Sequence, residues 1–159
     1  SAFLPIRFLD FRPANLGLSM VKEDAVDIRR LPFENESMYS LSCMHVVEHI
    51  GLGRYGDPID YDGDLAACAE LARVIAPGGC LLFVVPLAAQ ARIVFNAHRV
   101  YMFNQVLDMF QGMILEEFSL IPDNAADGNL IVSPTKELLE RQNYGCGCFL
   151  FRKPKAVSI

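Results

Sequence analysis

Three titratable residues fall within five positions, His45, Glu48 and His49, in the order H-x-x-E-H. Two imidazoles and a carboxylate so spaced can hold zinc when both rings share one helical face. Here the pattern begins at the end of residues 39–45 (YSLSCMH), which read as a strand, so the two rings are expected to part and no metal site is expected. On this reading His45 and Glu48 line a pocket, while His49 caps or packs. The third histidine, His98, stands in Asn96-Ala97-His98-Arg99. That tetrapeptide reads equally as a base beside an anion clamp and as a surface turn leading into a helix.

Two other groups of residues could do chemistry. Residues 51–64 carry four glycines, one arginine and four aspartates. Asp60-x-Asp62-x-Asp64 has the opening spacing of a calcium loop, but the sixth and twelfth places hold Leu65 and Leu71 where glycine and glutamate are required. A shaped substrate-side loop is expected instead, with Asp64 capping the next helix. The five cysteines, Cys43, Cys68, Cys80, Cys146 and Cys148, are an odd number without a scaffold spacing. They read as reduced thiols of a cytoplasmic protein, and Cys146-Gly147-Cys148 as the start of a strand.

The elements that must position these residues alternate. Residues 6–11 (IRFLDF), 18–22 (LSMVK) and 39–45 read as strands. A helix follows over 65–75 with Leu65, Cys68, Leu71, Ala72 and Ile75 on one face, stopped by Pro77-Gly78-Gly79. Residues 80–85 (CLLFVV) are a continuous apolar run of strand length, as for a strand covered on both faces. Helices over 102–110 and 135–141 and strands over 115–121 and 148–151 complete the chain. Phe95, Tyr101, Phe103 and Phe110 are expected in the core. Such alternation implies an α/β fold with a largely parallel sheet, whose ligands bind at the carboxyl ends of the strands. Asp10, His45 and Pro86 end expected strands, and Asp24 follows one.

Composition narrows the classes. The 159 residues suit one domain, and 52% of them are hydrophobic against 21% charged, with a net charge of −5. An acidic chain without a basic run is a poor nucleic-acid binder. No apolar stretch reaches membrane-spanning length, so no membrane partner is expected.

Two passages resemble class I methyltransferases. Leu31-Pro32-Phe33, an acidic loop, and then His45-Val46-Val47-Glu48-His49-Ile50 are similar to the "LPF…HVLEHI" passage of that superfamily. Residues 70–79 (ELARVIAPGG), followed by a strand ending in Val85-Pro86, are similar to its "EL.RVLKPGG…VP" passage. A narrower resemblance covers roughly residues 7–152. Residues 51–60, Gly63-Asp64 and residues 95–99 resemble a methyltransferase-like family known as a domain of unknown function in nematodes and bacteria.

The resemblance implies a Rossmann-like, doubly wound, mostly parallel sheet and S-adenosylmethionine as cofactor. It implies that Asp10 takes the ribose hydroxyls and that Asp24 with Ala25 lies near the adenine, Asp27 being a rival for that place. Cys43, Met44 and His45 match the end of the strand beside the reacting methyl, and His45, Glu48 or His98 is the base. The acceptor, small molecule or macromolecule, is not implied. One departure stands out. In these enzymes a central first strand and a Gly-x-Gly turn precede Asp10, and neither is found in this sequence; the glycine of Asn15-Leu16-Gly17-Leu18 is single. The chain therefore reads as one N-terminally incomplete domain, with the first strand missing or replaced by residues 6–11. Weak or absent cofactor binding follows, with self-association as a homo-oligomer. The alternative is a degenerate methyltransferase fold that binds a partner without catalysis.

Overall fold

The computed structural model describes residues 5–12 and 17–155. Strands β1 (Ile6–Asp10) and β2 (Val21–Ala25) pair in parallel, from Ile6 opposite Val21 to Asp10 opposite Ala25. Strand β3 (Met38–Met44) leads into a single 3-10 turn, Val47–His49. Helix α1 (Gly63–Val74) passes directly into β4 (Ile75–Leu87). A short hairpin, β5 (Arg92–Val94) and β6 (His98–Val100), precedes α2 (Phe103–Met109). Then come β7 (Ile114–Ile121), β8 (Ile131–Val132), α3 (Lys136–Glu140) and β9 (Gly145–Arg152).

The main sheet has five strands in the order β3-β4-β9-β7-β8. Only β3 and β4 run parallel in it; β9 enters antiparallel between β4 and β7. The sheet is thus mixed rather than mostly parallel, because the chain returns to β9 at the end opposite to a crossover. Among the described residues β1 and β2 form a separate pair and neither joins β3. Residues 6–11 therefore do not fill the place of a central first strand.

The core lies on one face of the main sheet. Phe83 on β4 and Phe149 and Phe151 on β9 are buried against Phe110, with Phe83 and Phe110 edge to face at 4.9 Å between centroids. Helix α1 covers them with Ala67, Cys68, Leu71 and Val74. Exposure alternates along β9: Phe149 and Phe151 point inward, whereas Cys146, Cys148 and Leu150 are half-buried on the other face. That alternation is the period-two geometry of a strand.

The Glu70–Arg73 pair shows what the "ELAR" passage does. The Glu70 carboxylate accepts from the Leu31 amide at 3.0 Å, and the Arg73 guanidinium donates to the carbonyls of Leu31 and Phe33 at 3.1 and 2.9 Å. One helical turn thereby anchors the backbone of the "LPF" passage, which hands the chain into β3.

Several boundaries differ from the sequence reading. The second strand is Val21–Ala25, not 18–22, because β2 pairs residue for residue with β1. Helix α1 starts two residues earlier, with Asp62 at its N-cap and no side-chain cap bond; Asp64 is a buried ion-pair partner instead of a cap. Pro77-Gly78-Gly79 does not end the helix but forms an irregularity inside β4, where pairing jumps from Met38–Ile75 to Ser40–Cys80. Gly78 takes the left-handed φ of 81°, and a Cβ at Gly79 would meet the Ala76 and Met38 carbonyls at 2.9 and 3.0 Å. Leu65 is exposed rather than part of the helix's buried face, and so is Phe95, at 96%. Phe95 begins the turn of the β5–β6 hairpin and projects into solvent there, while Val100 on β6 is buried.

Candidate functional site

The site is built where β3 and β4 end together. Cys43 pairs with Phe83 and Met44 with Val84, so Cys43 points into the core and Met44 away from it. Burial pushes the Cys43 thiol up to about 12, which keeps it protonated. At His45 the backbone turns out of the strand with φ of 53° while its amide still donates to the Val84 carbonyl at 2.9 Å. A left-handed conformation at a residue other than glycine costs on the order of 1–3 kcal/mol and tends to persist where function requires it.

That turn aims the imidazole. Nδ1 of His45 lies 2.9 Å from Oε1 of Glu48, in the following 3-10 turn. Glu48 is only 1% exposed, and its Oε2 has no partner. A buried carboxylate with one free oxygen is costly in a fold unless something compensates it. A carboxylate at Nδ1 accepts that N–H and leaves Nε2 as the basic nitrogen of the ring. Nε2 of His45 then lies 3.6 Å from Sγ of Cys146, the first half-buried residue of β9, opposite Pro86. Glu48, His45 and Cys146 thus form a line, although Cys146 is 101 residues from His45 in the chain.

The other histidines have different surroundings. His49 turns its Nδ1 to the Ala97 carbonyl at 2.8 Å, away from Glu48, and packs edge to face against Tyr55. His98 lies tilted against Tyr144 and stands edge-on to His49; its Nε2 is buried without a partner. Burial holds the His98 imidazole below its usual value, with His49 adding to the effect and Glu48 opposing it. His98 is therefore held neutral beside the same carboxylate that orients His45. Arg99 is no anion clamp. It is buried, and its guanidinium is taken up by the carbonyls of Ile50 and Tyr61 at 2.6 and 2.9 Å and by Asp64. Tyr101 donates its hydroxyl to Asp64 at 3.0 Å, which completes a buried polar knot under the loop.

The loop over 51–64 is shaped by its own polar groups. Asp57 accepts from the Gly51 amide at 2.7 Å, and a Cβ at Gly51 would lie 2.0 Å from the Asp60 carbonyl oxygen. Asp60 pairs with Arg29. Among the described residues no group of three or more His, Cys, Asp or Glu is arranged to hold a metal ion.

The residues expected to face a nucleoside lie on the other strand pair. Asp10 ends β1 directly opposite Ala25, with one carboxylate oxygen bonded to the Arg12 amide. Asp24 is engaged by Arg7 at 2.8 Å, which, with Lys22, holds its carboxyl below the usual range. Asp27 is bound by Arg29. Beyond the end of β4 an open pocket of about 300 Å³ is lined by Ala88, Gln90, Arg92, Gln142 and Asn143. The sequence reading missed Cys146 as a neighbour of His45. Its only signal there was the Gly-Cys-Gly-Cys alternation, which says that two thiols share a face but not which face they meet.

Comparison with known proteins places this geometry in context. Residues 27–143 match the family described as "Caenorhabditis protein of unknown function, DUF268". No curated protein matches the sequence. Among solved structures, N-methyltransferase NodS from Bradyrhizobium japonicum in complex with S-adenosyl-L-homocysteine aligns with a TM-score of 0.58 at 17% identity, over 95% of this chain and 67% of that one. A Burkholderia thailandensis 1,6-didemethyltoxoflavin-N1-methyltransferase aligns with a TM-score of 0.64 at 9% identity, over 94% and 61%. The [4+2]-cyclase SpnF aligns with a TM-score of 0.59 at 16% identity, over 88% and 60%. The chain thus spans between 60% and 67% of the length of these three structures. Its fold is that of the class I methyltransferases. One of the three is named for a cyclisation, so the fold alone does not fix the reaction.

Proposed function

Because the chain belongs to the family described as "Caenorhabditis protein of unknown function, DUF268" and has the class I methyltransferase fold, we propose that it is the base-bearing part of an S-adenosylmethionine-dependent methyltransferase. The observation that carries this reading is the His45–Glu48 pair at the shared end of the parallel strands β3 and β4, with its carboxylate buried. S-adenosylmethionine supplies an activated methyl on a sulfonium. Asp10 and Ala25 end adjacent strands, as residues that hold a ribose and an adenine must. Asp24, already paired with Arg7, fits that task less well. His45 Nε2 takes a proton from an acceptor, Glu48 fixes the ring, and neutral His98 is a second base near the same carboxylate. The pocket beyond β4 is of a size for a small polar acceptor.

Asp10 and Ala25 are both exposed, which bears on affinity. S-adenosylhomocysteine is expected to bind with a Kd on the order of 0.1–1 mM, roughly −4 to −5.5 kcal/mol, and to lose binding in Asp10→Ala. Calorimetry or ligand-observed NMR reads this. No binding at several millimolar favours the alternative, a methyltransferase fold that serves as a non-catalytic interaction domain. Self-association is part of the proposal, since β1 and β3 each have one edge without a strand among the described residues, and open edges recruit strands. Light scattering that finds a monodisperse monomer at tens of micromolar removes that part.

A further inference from the structure

The thiols on the outer face of β9 have no place in methyl transfer from a sulfonium to an acceptor bound elsewhere, yet one of them meets the base. We propose that Cys146, His45 and Glu48 form a nucleophilic thiol site that reacts with low-molecular-weight disulfides. The geometry has the three parts such a site needs: a nucleophile within reach of a base, and the base oriented by a third group. Cys146 Sγ lies 3.6 Å from His45 Nε2, and His45 Nδ1 lies 2.9 Å from Glu48 Oε1. Cys146 and His45 are both reached by solvent, whereas Glu48 is sealed and its second oxygen is unpartnered. The left-handed backbone at His45 is what turns the ring towards β9.

The two neighbouring thiols titrate as a pair. Cys148 is lowered to about 7, by its neighbour Cys146 first with His45 helping, while Cys146 is raised, by Cys148 first and then by burial. Cys146 therefore depends on a base for the loss of its proton. The sulfur within reach of a ring nitrogen is that of Cys146. The groups facing it are His45 from the end of β3, Glu48 from the 3-10 turn and Cys148 from β9.

Disulfide exchange fits this site better than acyl transfer. A tetrahedral acyl intermediate needs N–H donors for its oxyanion, and on the β4 side, where His45 also lies, the residue across from Cys146 is Pro86, which has none. Exchange places the developing charge on sulfur. His45 Nε2 takes the Cys146 proton, and the thiolate attacks one sulfur of R–S–S–R. The new S–S bond forms as the old one breaks, and the departing R–S⁻ takes the proton back from the imidazolium. The protein thiol is oxidised and one R–SH is released. The product is expected to stay a mixed disulfide. Positions two apart on a strand lie about 6.6 Å apart between Cα atoms, at the upper limit for a protein disulfide. This site stands without the methyl-transfer reading, and its test needs no S-adenosylmethionine.

The test is reaction of the folded chain with oxidised glutathione, read by intact mass and peptide mapping, alongside the pH-rate profile of iodoacetamide labelling. One glutathione per chain on Cys146 is expected. Labelling of Cys146 should run about tenfold faster near pH 6.5 than that of a free cysteine peptide, whose thiol has a pKa of about 8.5. Cys146→Ser should abolish the fast phase and Cys148→Ser should retain it. His45→Asn, which suits the left-handed backbone, should slow it by about tenfold and move its inflection up towards the free-thiol value. The idea is overturned if the adduct maps to Cys148 or Cys80, if Cys148→Ser removes the fast phase, or if folded His45→Asn, checked by circular dichroism, keeps the wild-type profile.

Discussion

The β1–β2 pair and the end of the β3–β4–β9 sheet both place acidic and basic side chains after strands, but they do so in opposite environments. On β1–β2 the charges are solvated: Asp24 meets Arg7 and Lys22 at the surface, and Ile6 and Phe8 are exposed as well. At the end of the main sheet Glu48, Asp64 and Arg99 are buried and held by specific partners. Exposed pairs gain little because water competes for them and salt screens them, while a buried charge is tolerated only when its partner is fixed. The contrast teaches that the end of the main sheet is held by buried side chains with fixed partners, whereas the β1–β2 pair is held by charges that water reaches.

Mutations can break or sharpen this contrast. The largest losses are expected in the main sheet. Phe83→Ala removes a fully buried ring and should cost about 3–5 kcal/mol by denaturant unfolding. Asp64→Ala should cost about as much, because Arg99 and the Tyr101 hydroxyl lose their buried partner. Phe8→Ala on β1 should cost less than about 1 kcal/mol. Equal losses in Phe8→Ala and Phe83→Ala would show that the strand pair is as firmly built in as the core.

A smaller effect is expected from pH. His98 is held below its usual value by burial, so the folded state prefers the neutral ring. Its contribution is present above the unfolded pKa of about 6.5 and is lost as pH falls through the lower folded value. The melting temperature should therefore begin to drop below about pH 6.5, and His98→Gln should flatten that limb. An unchanged limb in His98→Gln assigns the drop elsewhere.

The smallest effect is expected at Glu70. Arg73 holds its carboxyl below the ordinary range, so its contribution is present above about pH 4.3 and is lost on further acidification. Glu70→Gln should remove only this lowest part of the acid limb. A fall in stability at pH 7 comparable to Asp64→Ala would mean that the anchoring of Leu31 and Phe33 matters more than the exposed contrast allows.

Much of the architecture was legible because burial writes a pattern. The continuous apolar run over 80–85, the helix before it and the final strand all appear, though with shifted or wider bounds, since each must cover a core. The strand Val21–Ala25 was misplaced because VKEDA lies on a solvated pair and carries no apolar alternation. Phe95 was misassigned because a hairpin turn leaves a large apolar side chain nothing to pack against.

The sequence by itself determined the fold class and singled out His45, Glu48 and His98 as base candidates, because local periodicity and motif spacing carry those. Only the tertiary structure decided that His45 turns from His49 to face Cys146, that Arg99 is spent on Ile50, Tyr61 and Asp64, and that β9 enters the sheet antiparallel. Each of these joins residues about 35 to 100 positions apart or depends on one backbone turn, and no local pattern records which face of a strand a distant side chain will meet.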